Sequence, residues 1–336
     1  MTATSDISVL IVAFKSRKTI PACLEALAAQ TVRPREVWLL ENGSPDGEKV
    51  QAEVLPDWVN FIDSAENLGF AGGNNRLAQA ASGAWLALLN PDAYPKPDWI
   101  EALERATRDY PDIDLFGSTQ WAGGAEGVLD GTGDVYHFTG LAYRSGYGKG
   151  EAALPAEGEV FAPCAAAMLI REDVFHGLGG FDEGFFCYNE DVDLGYRARL
   201  EGRRALQLRS AEVVHDGYGS SGRRSEFATY YGVRNRLWVF VKNTPAWLFW
   251  LLSPVHIAIT LLLFLSSLRF GLGGTFLRAM RDALKDLPRV WAQRRQIEQK
   301  RTVSVIELAR MISWNPLNLV TRGAKIWRVH PDQGQS

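Results

Sequence analysis

Apolar positions along this chain alternate between short dense runs and longer, regularly spaced ones. Ile7-Ser-Val-Leu-Ile-Val-Ala-Phe14 is an almost unbroken apolar, β-branched run, the pattern of a strand covered on both faces. From Thr19 to Gln30 the spacing becomes helical through Ile20, Leu24, Leu27 and Ala28, with Thr19 as expected N-cap and Pro21 early in the helix. Further strands are predicted at Glu36–Glu41, Val59–Asp63 and Ala84–Leu89, with a helix over Asn74–Ser82 behind a glycine loop. That rhythm predicts a parallel α/β sheet. Residues 116–150, rich in Gly, Thr, Tyr and Asp, have no sustained period and read as loops and short strands. Cys164–Arg171 is another buried segment, and Asn189–Leu200 a helix that should stop at Gly202.

After Thr229 the character changes, and the boundary between two regions, 1–240 and 241–336, is expected near residues 235–245. Ala246–Leu268 is strongly apolar and long enough to cross a hydrocarbon core of roughly 30 Å, but Pro254 and His256 interrupt it near the middle. Arg269–Arg301 holds nine basic and three acidic residues, a net +6 that leaves −9 on the rest of a chain whose total is −3. A basic tail on an acidic body predicts that only the tail meets an anionic partner. The 336 residues, 46% of them hydrophobic, suffice for a real core and exclude a disordered or fibrous chain. Cys23, Cys164 and Cys187 lie far apart and form no C-x-x-C pair, which fits a reducing compartment. Ile7–Phe14 is too short for a signal or a span and lacks a basic leader.

Four loops follow predicted strands or open predicted helices, and in an open α/β sheet such loops meet at the carboxyl edge. Leu89-Asn-Pro-Asp92 delivers Asn90 and Asp92 together, where a carboxylate can hold a hard divalent cation; the same residues also make a good turn. In Asn189-Glu190-Asp191 the asparagine can cap the helix and leave two acids in its first turn, where the helix dipole favours their ionised forms, and such acids are equally ordinary capping residues. Asp193 and Arg197 read as an ordinary i,i+4 pair. Asn67-Leu-Gly-Phe-Ala-Gly72-Gly-Asn-Asn75 lacks the dinucleotide spacing G-x-G-x-x-G, leaving close approach to a ligand or a tight packed loop. His215 directly follows an apolar strand, as a ligand or as a structural histidine.

The order of these segments resembles the family 2 glycosyltransferases of the GT-A fold, in their rhamnosyltransferase-like branch. The matching stretches are Val9–Phe14, Glu41-Asn-Gly-Ser44, Asn67–Asn75, Leu89–Asp92, Gly179-Gly-Phe-Asp-Glu183 and Glu190-Asp-Val-Asp193, spread over residues 7–240. The resemblance implies a Rossmann-like mixed sheet flanked by helices, followed by a C-terminal membrane-associating helical region. It implies that Ala13 and Phe14 line the nucleotide pocket and that Glu41 contacts base or ribose where the family has Asp. Asn67 and Gly72 would shape the adjoining loop. Asn90-Pro-Asp92 stands at the family's D-x-D position, so Asp92 would hold Mg²⁺ or Mn²⁺ with His215 as a late ligand and Asn90 as a weaker one. Asp191 would be the base of a single inverting displacement, with Glu190 beside it. The donor would be a nucleoside-diphosphate sugar, possible acceptors being a glycan or a polyprenyl-diphosphate-linked one.

Donors of that kind are cytosolic, so both ends of Ala246–Leu268 should lie on the cytoplasmic side of an anionic membrane, as a peripheral or re-entrant element. A nucleotidyltransferase would carry a glycine-rich basic signature near the first strand, which Phe14-Lys-Ser-Arg-Lys18 lacks. An inactive glycan-binding or scaffolding homologue finds support only in the departures at Glu41 and Asn90. Nucleic acid is not expected as a partner, because the basic stretch adjoins the apolar segment and has no base-reading motif.

Overall fold

The seven residues Ile7–Ala13 are all buried, as an apolar run without alternation requires, and form the central strand β1. The computed structural model describes residues 4–217, 225–327 and 329. Beside β1 lie β2 (Glu36–Asn42), β3 (Val59–Ser64) and β4 (Trp85–Leu89), all parallel. The other strands are β5 (Ala93–Pro95), β6 (Leu115–Ala122), β7 (Leu129–Gly131), β8 (Asp134–Tyr136), β9 (Ala142–Arg144), β10 (Gly158–Glu159), β11 (Ala167–Arg171) and β12 (Ala205–His215). The main sheet runs β10-β12-β6-β11-β4-β1-β2-β3, with β5 on β12 and β7 on β6. β11 is antiparallel to both β4 and β6, whereas β12 is parallel to β6. The carboxyl ends of β4 and β12 therefore point to one edge, bringing Asn90 and His215 together.

The helices are α1 (Ile20–Ala28), α2 (Gly69–Ala78), α3 (Trp99–Asp109), α4 (Glu172–Gly177), α5 (Glu190–Leu200), α6 (Glu226–Asn243), α7 (Ala246–Leu268), α8 (Gly273–Lys285), α9 (Leu287–Lys300), α10 (Val305–Met311) and α11 (Asn318–Thr321). One core fills the sheet face under α1 and α3, a second the face under α2 and α5. In a third core, α5 and the strand β8 pack against α6, α7, α9 and α10.

Several expectations change. The glycines of Gly69–Gly73 lie inside α2 rather than in a loop before it. A Cβ on Gly73 would stand 2.7 Å from Val12 Cγ1, so this glycine lets α2 press onto β1. Thr19 makes no side-chain cap; its hydroxyl donates to Ser16 O. Asn189 adopts a left-handed conformation without capping α5 through its side chain. Within the segment read as loops, β6 is an eight-residue strand in the middle of the sheet order. The expected boundary at 240 falls in the last turns of α6, which packs on both α5 and α8.

Ala246–Leu268 is one continuous helix despite Pro254, so the apolar segment itself contains no hairpin; the chain turns back only after it, into α8. His256 is buried, donates from Nδ1 to Thr139 O at 3.0 Å, and stacks on Phe240. Trp250, Leu251, Ile257, Leu261, Leu262 and Leu265 face outward, each more than half exposed.

The Asp193–Arg197 pair is no surface pair. Asp193 is fully buried, accepting from Arg197 Nε at 2.8 Å, Lys242 Nζ at 3.0 Å and Asn243 Nδ2 at 2.8 Å, and Lys242 also reaches Asp182 at 2.8 Å. This carboxylate ties α5 to α6. Replacing Asp193 by Ala leaves two buried cations short of a counter-charge, and denaturant unfolding should show a loss of about 3–5 kcal/mol.

Candidate active site

The carboxyl edge of the sheet gathers most of the predicted residues, although not all in the expected roles. Ala13 is buried at the end of β1, and the half-buried Phe14 follows it. Glu41 is fully buried, and both its oxygens are engaged: Oε1 accepts from Ser44 N and Oε2 from Val50 N, each at 2.8 Å. It closes its own loop instead of offering a free carboxylate to a base or ribose, which accounts for the longer side chain at this position. Asn42 links that loop to the next one, donating to Asn67 Oδ1 at 3.1 Å and to Gly69 O at 3.0 Å and accepting from Leu68 N. Asn67 therefore braces the entry to α2. Gly72 sits within that helix, facing Leu68 and Glu183.

At the ends of β4 and β12 the geometry is tighter. Asp92 Oδ1 lies 3.4 Å from His215 Nε2, and Asn90 Nδ2 lies 3.2 Å from the same nitrogen. His215 Nδ1 contacts Asp130 Oδ2 at 2.8 Å. Both ring nitrogens thus face a carboxylate, Nδ1 that of Asp130 and Nε2 that of Asp92. Burial disfavours the charged imidazole, but the bonds to Asp130 and Asp92 outweigh it and raise its pKa.

Asp130 also pairs with Arg144 Nη1 at 2.5 Å. Beyond it lie Asp134, Cys164 and Asp191, whose ligand atoms fall within 4.8 Å of one another. Asp191 accepts from Ala165 N at 3.2 Å through Oδ2 and from Val192 N at 2.8 Å through Oδ1. Asp134 is pushed up to about 8 by burial and by the facing Asp191, against the pull of Arg144. Burial holds the Cys164 thiol at about 12. Such a thiol stays protonated at neutral pH and makes a poor start for a metal site. Glu190 departs from its expectation: burial, then the neighbouring Asp191, raise it well above the carboxylate range, and its Oε2 has no hydrogen-bond partner among the described residues. Its surroundings favour the protonated acid, against the ionised form that a helix start favours.

A family profile described as "Glycosyl transferase family 2" matches residues 8–177, just over half of the chain. The chain belongs to glycosyltransferase family 2. Among curated relatives, the N-acetylglucosaminyl-diphospho-decaprenol L-rhamnosyltransferase of Mycobacterium tuberculosis is 30% identical over 66% of this chain and 79% of its own length. The O-antigen biosynthesis protein RfbC of Myxococcus xanthus is 30% identical over 65% of this chain but only 18% of its own. The fold is GT-A: a mannosyltransferase from Pyrobaculum calidifontis, solved with GDP-Man and Mn²⁺, superposes with a TM-score of 0.51 at 14% identity, covering 89% of this chain and 86% of the other. GalNAc-T7, solved with UDP, GalNAc and Mn²⁺, gives 0.55 at 15% identity over 70% of this chain, which spans about half (47%) of that enzyme. The protein is thus a glycosyltransferase.

Three residues of this family 2 site were missed in the sequence: Asp130, Asp134 and Arg144. The signal available was Asp130-Gly-Thr-Gly-Asp134, two acids held apart by glycines, but nothing in the spacing tells that this loop folds back onto β12 and α5. An acid whose folded-state pKa lies above its unfolded value contributes fully below about pH 4 and loses that contribution as pH rises toward 8. Thermal midpoints should accordingly fall between pH 5 and pH 8 in the wild-type enzyme, and Asp134→Asn should flatten that slope.

Proposed function

We propose that this enzyme moves a sugar from a nucleoside-diphosphate donor to a lipid-diphosphate-linked acceptor during cell-envelope polysaccharide synthesis, with inversion. The carrying observation is the polar chain Asp92–His215–Asp130–Arg144, beside which Asp134 and Asp191 stand as a second acidic group under the charge of Arg144, so that both carboxylates such a reaction needs belong to one charged cluster. The names of the relatives, a decaprenol-linked rhamnosyltransferase and an O-antigen protein, support the acceptor class and make rhamnose the first donor to test.

The residues at the end of β4 fit a divalent cation. Asp92 and the Nε2 of His215 converge on one point, and Asp130 orients the imidazole from behind, as metal-binding histidines require. Neighbours of the same fold solved with Mn²⁺ support the same reading. When bound, Mg²⁺ or Mn²⁺ would offset the negative charge that develops on the departing diphosphate. Ala13, Phe14 and the loop braced by Asn42 and Asn67 would flank the nucleotide. Asp191 takes the proton from the acceptor hydroxyl as that oxygen bonds to the anomeric carbon and the bond to the diphosphate breaks. The amide of Ala165 helps to orient this carboxylate.

The outward apolar stripe of α7 with the basic face of α8 favours a helix lying in the surface of an anionic membrane, on the side that holds the donor. A span is less favoured, because His256 and Leu252 on the other side of α7 are packed into protein.

Asp191→Asn should keep donor binding and lower transfer by about 10²–10⁴-fold, and near-wild-type turnover would remove Asp191 from its role. Asp130→Asn, which touches no substrate, should weaken Mn²⁺ binding about 10–100-fold by calorimetry. The full-length protein should sediment with anionic vesicles at physiological salt, and Leu251→Asp with Leu262→Asp should release it. Wild-type protein left in the supernatant would refute the membrane reading.

A further inference from the structure

The stretch that leads into Asp191 is strained. Phe186, Tyr188 and Asn189 all have φ between 64° and 69°, a left-handed conformation that side chains other than glycine rarely adopt. One buried amide holds it in place: Asn235 Nδ2 donates to Phe185 O, Cys187 O and Tyr188 O at 2.9, 2.8 and 2.7 Å. Arg234, next to it on α6, adds bonds to Gly184 O and Phe185 O. From the other side, Ala71 N donates to Phe186 O, and Gly69 leaves no room for a side chain there.

The same stretch carries a cluster of rings beside the turn that enters α5. Phe186 stacks on Tyr231 with centroids 5.1 Å apart, Phe227 meets Tyr231 at 4.7 Å and Tyr188 at 6.1 Å. These four side chains are half-buried or, for Phe227, 39% exposed. Aromatic faces edged with tyrosine hydroxyls and backed by Arg234, 4.8 Å over the Tyr231 ring, suit a ligand with an apolar C–H face and a polar rim. A pyranose ring has that shape, whereas an acyl chain has no use for the polar rim.

We propose that Phe186, Tyr188, Phe227 and Tyr231 form the subsite for the acceptor sugar ring, and that Asn235 is the positioning residue that fixes its geometry relative to Asp191. This rests on the reading of Asp191 as the base that faces the acceptor. Phe186 and Tyr188 stand five and three residues before Asp191 on the turn held by Asn235, so a sugar lying on these rings would present its hydroxyl edge to that carboxylate.

The test uses the full-length enzyme and two readouts. By saturation-transfer NMR, methyl N-acetylglucosaminide should receive magnetisation from the aromatic protons of the wild-type protein, and Phe227→Ala with Tyr231→Ala should abolish this. In transfer assays with a short-chain N-acetylglucosaminyl-diphospho-lipid, each of these variants should raise the acceptor KM roughly fivefold to tenfold while the donor KM stays within twofold. Asn235→Ala should lower kcat at least tenfold, and adding Asn189→Gly should recover part of that loss, because glycine adopts the left-handed conformation unaided. A silent NMR experiment on the wild-type protein, or an unchanged acceptor KM in both aromatic variants, overturns the subsite. A fall in kcat that Asn189→Gly leaves untouched overturns the role of Asn235. NMR binding that depends on the rings, with no transfer from any donor, would instead sink the proposed function and leave the subsite standing.

Discussion

Carboxylates crowd this cleft, and their mutual repulsion is the constraint that the rest of the site answers. Asp92, Asp130, Asp134, Asp191 and Glu190 converge on an edge where two opposite charges 4 Å apart are worth about 4 kcal/mol at an effective dielectric of 20, and like charges cost as much. The chain meets this in three ways. Arg144 lies among three of the carboxylates; His215 is spanned by two; burial raises the pKa of both Glu190 and Asp134, so that they hold their protons more tightly. Asp92 and Asp191 are the two left least enclosed, one in each acidic group of the cluster. A cation and an acceptor hydroxyl are what such carboxylates can accept.

Holding these groups in register is the task of α5. A surface helix would show one apolar stripe, but from Val192 to Leu200 every residue of α5 is buried, half toward the sheet and half toward the C-terminal helices. Polar residues in such a helix need partners, and they have them: Arg197 donates to Leu178 O and Gly180 O, Arg199 to Phe161 O, and Asp193 takes two cations and an amide. The turn that carries Asp191 therefore cannot move without moving α6. Because α6 also carries Asn235 and packs on α8, the region that presents apolar surface and the region that does chemistry share one core.

The motifs that carried the resemblance were legible because they are local. A strand end, a glycine pair before a helix and an acidic first turn are written in consecutive residues, and their backbone consequences follow from hydrogen bonding and sterics alone. Even so, the glycines at 69–73 were read as a loop, since glycine lowers helix propensity by about 1 kcal/mol and the sequence cannot show that Val12 needs the space. Glu190 was read as ionised because its position at a helix start was visible and its burial was not.

By itself the sequence determined the parallel α/β core, the order of the motifs, the apolar length of Ala246–Leu268 and the basic stretch behind it, because each depends on residue type and short spacing. Only the tertiary structure decided that Glu41 closes a loop, that Asp130 and Arg144 link His215 to the second acidic group, and that Asn235 grips a turn 47 to 50 residues before it. Those contacts join residues from separate strands and helices. Which of many buried polar groups will meet is set by how the sheet, α5 and α6 pack, and packing is a property of the whole chain.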